Sequence, residues 1–416
     1  MVALVALLPQ ALAQTCATIN PANAPTFASG YSGRVVMNGL KGPRGIVFDK
    51  QGNLLTSEQG GYGIRYIQLT DNGGTNVCVK SSKQLVADTS LNHGLELSPD
   101  GKILFASSVS AVYAWDYDGT TGTVSNKKTV VSGTNNGGHN TRTLLIPKSS
   151  PDTLLVSRGS NGNIDSPTAQ ESSGRSQIRA FSITKIRSAA ADYLTGDILG
   201  WGLRNSVGIG EDPLGGIWSV ENSVDQMSRE NKDIHNTNPC EELNYHGIIS
   251  NANNTLKGAN FGYPQCFAVW DPTVLPNPGT FKTGQNFAIG NPSGAVTDAT
   301  CSSRQAPKLC FPSHTAPLDI KFNPNGTAAY ITFHGSWNRN PPDGFRLSKV
   351  AFNPSTGMPT EPSTSQTAAQ NIMYNANNGA CPTRCFRPVG MAWGPKGQLF
   401  MTSDSTNEIW VVGGAT

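Results

Sequence analysis

The chain has 416 residues, is 37% hydrophobic and only 14% charged, and carries 45 glycines and 27 prolines. Its formal net charge is +3 with no basic block, which excludes the concentrated Lys/Arg stripe of a nucleic-acid binder. The hydrophobic share also excludes a disordered chain, and the Gly/Pro content suits short strands and tight turns better than a helical bundle.

The first thirteen residues, MVALVALLPQALA, are apolar and end in Ala11-Leu12-Ala13. They read as what remains of a secretory signal lacking its basic n-region, with residues 14–416 as the mature chain. No other stretch has the ~18 uninterrupted apolar residues a membrane span needs, so the mature protein is expected to stay off the membrane. Eight cysteines (Cys16, Cys78, Cys240, Cys266, Cys301, Cys310, Cys381 and Cys385) agree with that route. An even number in a secreted chain reads as four disulfides. Short loops suggest Cys301–Cys310 and Cys381–Cys385, leaving Cys240–Cys266 and Cys16–Cys78 as the economical completion. Asn253 and Asn325 stand in Asn-x-Thr sequons.

One phrase then recurs along the chain: an apolar run, a turn containing Gly or Pro-x-Gly, and a second apolar run. The copies in order are GIVFDKQGNLLTSE from Gly45, GLELSPDGKILFAS from Gly94 and TLLIPKSSPDTLLVS from Thr143. VGIGEDPLGGIWSVE from Val207, LDIKFNPNGTAAYITF from Leu318 and GMAWGPKGQLFMTS from Gly390 complete the set. Each copy is a β-hairpin in sequence form. A lone hairpin cannot bury both faces, so six copies predict radial stacking: an all-β, six-bladed propeller in one domain over 14–416. The widest gap, between the fourth and fifth copies, is rich in Asn, Gly and Pro and reads as loop insertions on one blade.

Polar residues gather beside these phrases. Four of the six histidines stand in short motifs near the hairpins: LNHGLE (His93), GGHNTRT (His139), SHTAPLD (His314) and FHGSWNR (His334). Arg44, Arg204 and Arg387 each directly precede a repeat, so three blades would direct guanidiniums at one region. Without acids nearby in sequence, such forks invite a multiply anionic ligand. A third feature is the acidic run from Glu221 through Asp225, Asp233, Glu241 and Glu242, whose oxygens suit calcium better than zinc. No P-loop, dinucleotide fingerprint or Gly-x-Ser-x-Gly elbow occurs in a convincing context.

Five motifs in order, GGHNTRT, GLRNSVG, VENSVD…EELN…GANFGYP, HGSWNR and CFRPVGMAW, resemble the soluble quinoprotein glucose/sorbosone dehydrogenases. The likeness is greatest to the fungal pyrroloquinoline quinone (PQQ)-dependent pyranose dehydrogenases and covers nearly the whole mature chain. The resemblance implies a propeller holding PQQ at the top of its channel with Ca²⁺ against it. By motif, His139 matches the catalytic base, and Arg204 and Asn205 the pair on the quinone oxygens. Arg387 matches an arginine on a cofactor carboxylate, Arg44 is its expected fungal counterpart, and His334, Trp337 and Asn338 lie in the segment beside the cofactor. Ser223 and Val224 match the two residues that offer backbone carbonyls to Ca²⁺. Three departures from the bacterial glucose enzymes stand out: Ser223-Val224 replaces Gly-Pro, Asn92-His93 replaces Gln-Asn, and a lysine expected near Trp337 is missing. His93 is placed with the cofactor contacts.

The implied reaction oxidises the C1 hydroxyl of a pyranose, for example fucose or 2-keto-glucose, to a lactone. Electrons would leave to an external acceptor, a secreted cytochrome or a copper polysaccharide oxygenase, from an extracellular monomer. Two other readings stay open on the same architecture: a calcium-dependent lactonase, and a non-catalytic propeller that binds a sugar or a partner.

Overall fold

The computed structural model describes residues 15–290 and 295–415. The proposed signal remnant, residues 1–13, lies outside them. Each of the six phrases forms a hairpin, and each hairpin is the inner half of a blade.

Blade 1 runs Pro43–Phe48, Leu54–Glu58, Gly63–Asp71 and Val77–Val86; blade 2 runs Leu91–Leu97, Ile103–Ser108, Val112–Asp118 and Thr123–Ser132. Blade 3 starts with the short Leu144–Leu145 and continues through Thr153–Arg158, Gln177–Ser182 and Asp197–Trp201. Blade 4 holds Ser206–Glu211, Gly216–Glu221, Glu241–Ile248 and Leu309–Phe311, so the long insertion falls between its last two strands. Blade 5 holds Pro317–Phe322, Ala328–Phe333, Arg346–Asn353 and Ala369–Tyr374. Blade 6 takes three strands from the C-terminal part, Pro388–Trp393, Leu399–Ser403 and Glu408–Gly413. Its fourth, Ser32–Met37, comes from the N-terminal part and pairs antiparallel with Glu408–Gly413. The ring is thereby closed by strand pairing between chain ends.

The apolar runs are nearly continuous because both faces of every blade are buried. Leu54 packs between blades 6 and 1, while Leu55, its neighbour, packs between blades 1 and 2. Leu104 and Phe105 divide in the same way, as do Leu154 and Leu155, and Ile217 and Trp218. Six apolar clusters result, one per blade interface.

Hydroxyls on the second strands stitch the inner strands together. Ser57 accepts from the Gly45 amide and donates to the His93 carbonyl of blade 2. Ser107 links Gly94 to Arg142, and Thr402 links Gly390 to Arg44, by the same pair of bonds. Glycine is required at these places: a Cβ on Gly45 would stand 2.3 Å from the His93 carbonyl oxygen, and one on Gly94 2.1 Å from that of Arg142.

All eight cysteines are bridged. Cys16–Cys78 and Cys381–Cys385 form as expected from sequence, but the other four pair as Cys240–Cys310 and Cys266–Cys301. Strand pairing decides this. Cys240 enters Glu241–Ile248, whose partner strand carries Cys310 opposite Glu242. Cys266 lies on a separate hairpin, Cys266–Ala268 with Asn286–Ala288, against the short helix Asp298–Ser302 that carries Cys301.

Candidate active site

In an antiparallel hairpin the start of one strand meets the end of the next. Pro43 therefore pairs with Glu58, Ser206 with Glu221, Pro317 with Phe333 and Pro388 with Ser403, all at one mouth of the channel. Register shifts follow at once in each of these hairpins, and also after Leu91 in blade 2. Such bulges bend the strand and re-aim its side chains.

A cavity of about 350 Å³ opens at this mouth. Its lining brings together Arg44, His139, Arg204, Asn205, Ser223, His334, Trp337 and Arg387 from the residues singled out in sequence. Asp225, Glu241 and His314, also noted in sequence, line it too, and Asn222 joins them. Of the residues matched by resemblance to the cofactor or metal, three fall outside the lining: His93, Val224 and Asn338. His93 borders a second cavity of about 370 Å³ towards the other end of the channel. Val207 and Leu318 line both cavities and form, with Val389, an apolar plug between them. Val224 buries its side chain in an apolar cluster of the insertion with Met227 and Tyr263, so a role at the mouth is left to its backbone alone. Asn338 is next to Trp337, and its buried Nδ2 has no partner among the described residues. Trp337 is the exposed wall, at 70%.

The three guanidiniums differ. Arg44 donates to Asp404 at 2.8 Å and to His93 Nδ1 at 3.4 Å. Arg204 spans Asn163, the Asn222 carbonyl and Asp225, the last at 3.0 Å. Arg387 donates to the His334 and Gly335 carbonyls, at 3.0 and 3.1 Å, and has no carboxylate within ion-pairing distance among the described residues. Sequence suggested three arginines without acids; two have them, brought by the fold from Asp404 and Asp225. Burial lowers the pKa of Arg387, so its charge there needs a counterion.

His139 and His334 are drawn below the ordinary imidazole range. Burial, then the Arg204 guanidinium, draws the pKa of His139 down to about 4. Burial also lowers His334, although Asp404, at 2.9 Å from its Nε2, pulls the other way. Asp404 sits well below the usual carboxylate range because His334 and Arg44 outweigh its burial. Beneath the mouth, Glu221 and Glu241 are buried, and desolvation pushes them up to about 8 and about 7. Glu221 accepts from the Asn205 amide at 2.6 Å and from the Ser206 hydroxyl; Glu241 accepts from the Ser223 amide at 2.7 Å. His314 and Ala316, at the start of blade 5, take left-handed φ values of 62° and 52°. Such conformations are uncommon for non-glycine residues and collect at functional sites.

This donor set fits a multiply anionic quinone and a hard cation. Arg387 lacks a carboxylate, and the buried glutamates would be eased by positive charge. Sequence reasoning missed Asp404. Asp404 stands in the loop leaving the second strand of blade 6, where only the repeat register could have pointed to it.

The comparisons agree with the geometry. A protein from Hypocrea jecorina (strain QM6a) named pyrroloquinoline quinone-dependent sugar dehydrogenase is 47% identical over 96% of this chain and 92% of its own length. The calcium structure of a Trichoderma reesei carbohydrate-active enzyme of family AA12 superposes with a TM-score of 0.91 at 47% identity, covering 96% of this chain and 98% of that one. The holo form of the PQQ domain of pyranose dehydrogenase from Coprinopsis cinerea gives 0.90 at 39% identity, over 95% and 98%. A family profile described as TrAA12-like matches residues 25–415, so the chain belongs to the TrAA12-like family.

Proposed function

We propose that this member of a family of PQQ-dependent sugar dehydrogenases oxidises the anomeric C1 hydroxyl of a pyranose to a lactone, with a calcium ion beside the quinone. The observation that carries the reading is the convergence of Arg44, His139, Arg204 and Arg387, from four blades, on one cavity. Bound there, the quinone supplies a two-electron oxidant and calcium a Lewis acid.

The chain's own groups do the rest. Arg387 takes a carboxylate of the quinone on the guanidinium edge that its two carbonyl contacts leave open. Arg204 and Asn205 would hold the quinone oxygens, and Arg44 would supply a second clamp from across the mouth. Ser223 and Val224 offer backbone carbonyls to calcium, with Glu241 behind the Ser223 amide. As the sugar C1–H is oxidised, His139, neutral well below pH 7, accepts the proton of the C1 hydroxyl, so that C=O replaces CH–OH. The exposed Trp337 ring offers the sugar an apolar face.

The electrons go to a separate acceptor, a cytochrome or a copper polysaccharide oxygenase, and the substrate is a monosaccharide such as fucose or 2-keto-glucose. Four disulfides support a secreted, extracellular protein; we take it to act as a monomer. A calcium-dependent lactonase would gather Asp, Asn and Glu side-chain oxygens on a central ion, whereas this mouth is lined by Arg44, Arg204, Arg387, His139 and His334.

The deciding experiment is His139→Ala in quinone- and calcium-loaded protein, with sugar-dependent bleaching of a dye acceptor. Turnover should fall by about 10²–10⁴-fold while quinone titration is unchanged. Near-normal turnover would remove His139 from this role.

A further inference from the structure

The imidazole of His139 has surroundings that define more than its place. Its Nδ1 lies 2.9 Å from the Ser160 hydroxyl and 3.3 Å from the Ser160 carbonyl. That hydroxyl donates its own proton to the Gly162 carbonyl at 2.6 Å. A serine has one hydroxyl hydrogen, so with it committed to a carbonyl the oxygen can only accept from Nδ1. The Ser160 carbonyl can only accept as well. Both neighbours therefore demand the ring proton on Nδ1, which leaves the Nε2 lone pair free. Nε2 has no protein partner among the described residues, and the ring lines the cavity.

Ser160 is itself anchored. It is fully buried, its amide donates to the Arg204 carbonyl at 2.8 Å, and its carbonyl accepts from the His139 amide at 3.0 Å. Asn136 Nδ2 donates to the Gly159 and Ser160 carbonyls at 2.9 and 3.0 Å. The Asn136 oxygen in turn accepts from the guanidinium of Arg142, which is completely buried and also holds the Thr134 and His139 carbonyls. The loop that carries His139 is thus wrapped around one planar cation and tied through Asn136 to the serine.

We propose that Ser160 is a positioning residue that fixes His139 as its Nδ1–H tautomer, presenting the basic Nε2 to the sugar. The inference deepens the proposed function and rests on its assignment of His139. The choice of a neutral partner matters for the working range. The charged groups that face the ring are Arg204 and Arg142, which lower its pKa, and Asp225, which raises it. A hydroxyl adds no charge to that balance, so the base stays free into mildly acidic solution. An aspartate in its place would set an anion against Nδ1 and raise the pKa by about 1–3 units.

The test combines ring ¹⁵N NMR on histidine-labelled holoenzyme with pH profiles of kcat/KM; the His139 signals are assigned by their loss in His139→Ala. The wild type should show a protonated Nδ1 and a bare Nε2. Ser160→Asp should move the acid limb up by one pH unit or more, whereas Ser160→Thr should keep the limb. Ser160→Ala should lower kcat by about tenfold with a smaller change in KM, less than the ~10²–10⁴-fold worth of the base itself because the imidazole stays in place. A protonated Nε2 in the wild type, or an acid limb unmoved in Ser160→Asp, overturns the proposal. The two readings fail separately: an active His139→Ala enzyme removes the base, while an inactive one with an unmoved Ser160→Asp limb removes only the tautomer lock.

Discussion

Arg387→Gln isolates the cofactor clamp. Two donors of this guanidinium are already spent on the His334 and Gly335 carbonyls, which fix its plane, and Nη1 has no hydrogen-bond partner among the described residues. Its charge has no ion-pair partner in the described protein, unlike those of Arg44 and Arg204. A charge-assisted contact is worth about 1.5–3 kcal/mol. At ~1.4 kcal/mol per tenfold, removing it should weaken quinone binding by about 10- to 150-fold. Glutamine preserves some of the stem and amide contacts and leaves the 5.6 Å approach to the Phe345 ring as the main packing loss. The assay is calorimetric titration of the apoprotein with PQQ at fixed calcium. At saturating quinone, kcat should stay close to wild type, because Arg387 and His139 share no hydrogen bond. A Kd within twofold of wild type would refute the reasoning.

Three further outcomes are expected. Asp404→Asn leaves the buried Arg44 without its carboxylate, a loss of about 3–5 kcal/mol for a broken buried pair, and bound quinone should restore part of the Tm. Replacing Cys16 and Cys78 together with serine removes a 62-residue loop closure and should cost up to about 4 kcal/mol in urea unfolding; an unchanged midpoint would mean the N-terminal segment stays docked without it. The third concerns pH. Burial holds Glu96, Glu241 and Glu242 at about 7 and Glu221 at about 8 in the folded protein, above their unfolded value, so their contribution is whole below pH ~4.5 and is lost as pH rises through 7 to 8. Buried His246, drawn down to about 3, acts oppositely but only below its unfolded pKa of about 6.5. The apoprotein Tm should therefore fall between pH 6.5 and 8, and Glu242→Gln should flatten that slope; a flat wild-type profile contradicts it.

The blades were legible because their signal is local. Each hairpin carries its own turn and its own pair of apolar runs, and six copies in one register admit few architectures. Arg44, His139, Arg204 and Arg387 were legible because each stands within a few residues before a hairpin, and the hairpins start at one mouth. What escaped depends on contacts between distant segments. The Cys240–Cys310 and Cys266–Cys301 bridges follow strand pairing inside the blade 4 insertion, which proximity in sequence misreads. Asp404 meets Arg44 across 360 residues, so the acid that tempers that arginine is invisible to a local reading. His93 stood in the right motif, yet its strand places it beside the lower cavity.

The strand Ser32–Met37 is made early and used last. During synthesis, five blades can each assemble from consecutive segments as they emerge, whereas the sixth must wait for Glu408–Gly413 before its early strand has anything to pair with. Arg387 and Asp404 both belong to that final blade, so a nascent chain has no finished pocket to offer a quinone. A chain that had lost Glu408–Gly413 would leave Ser32–Met37 without its partner and the ring open beside Arg387 and Asp404.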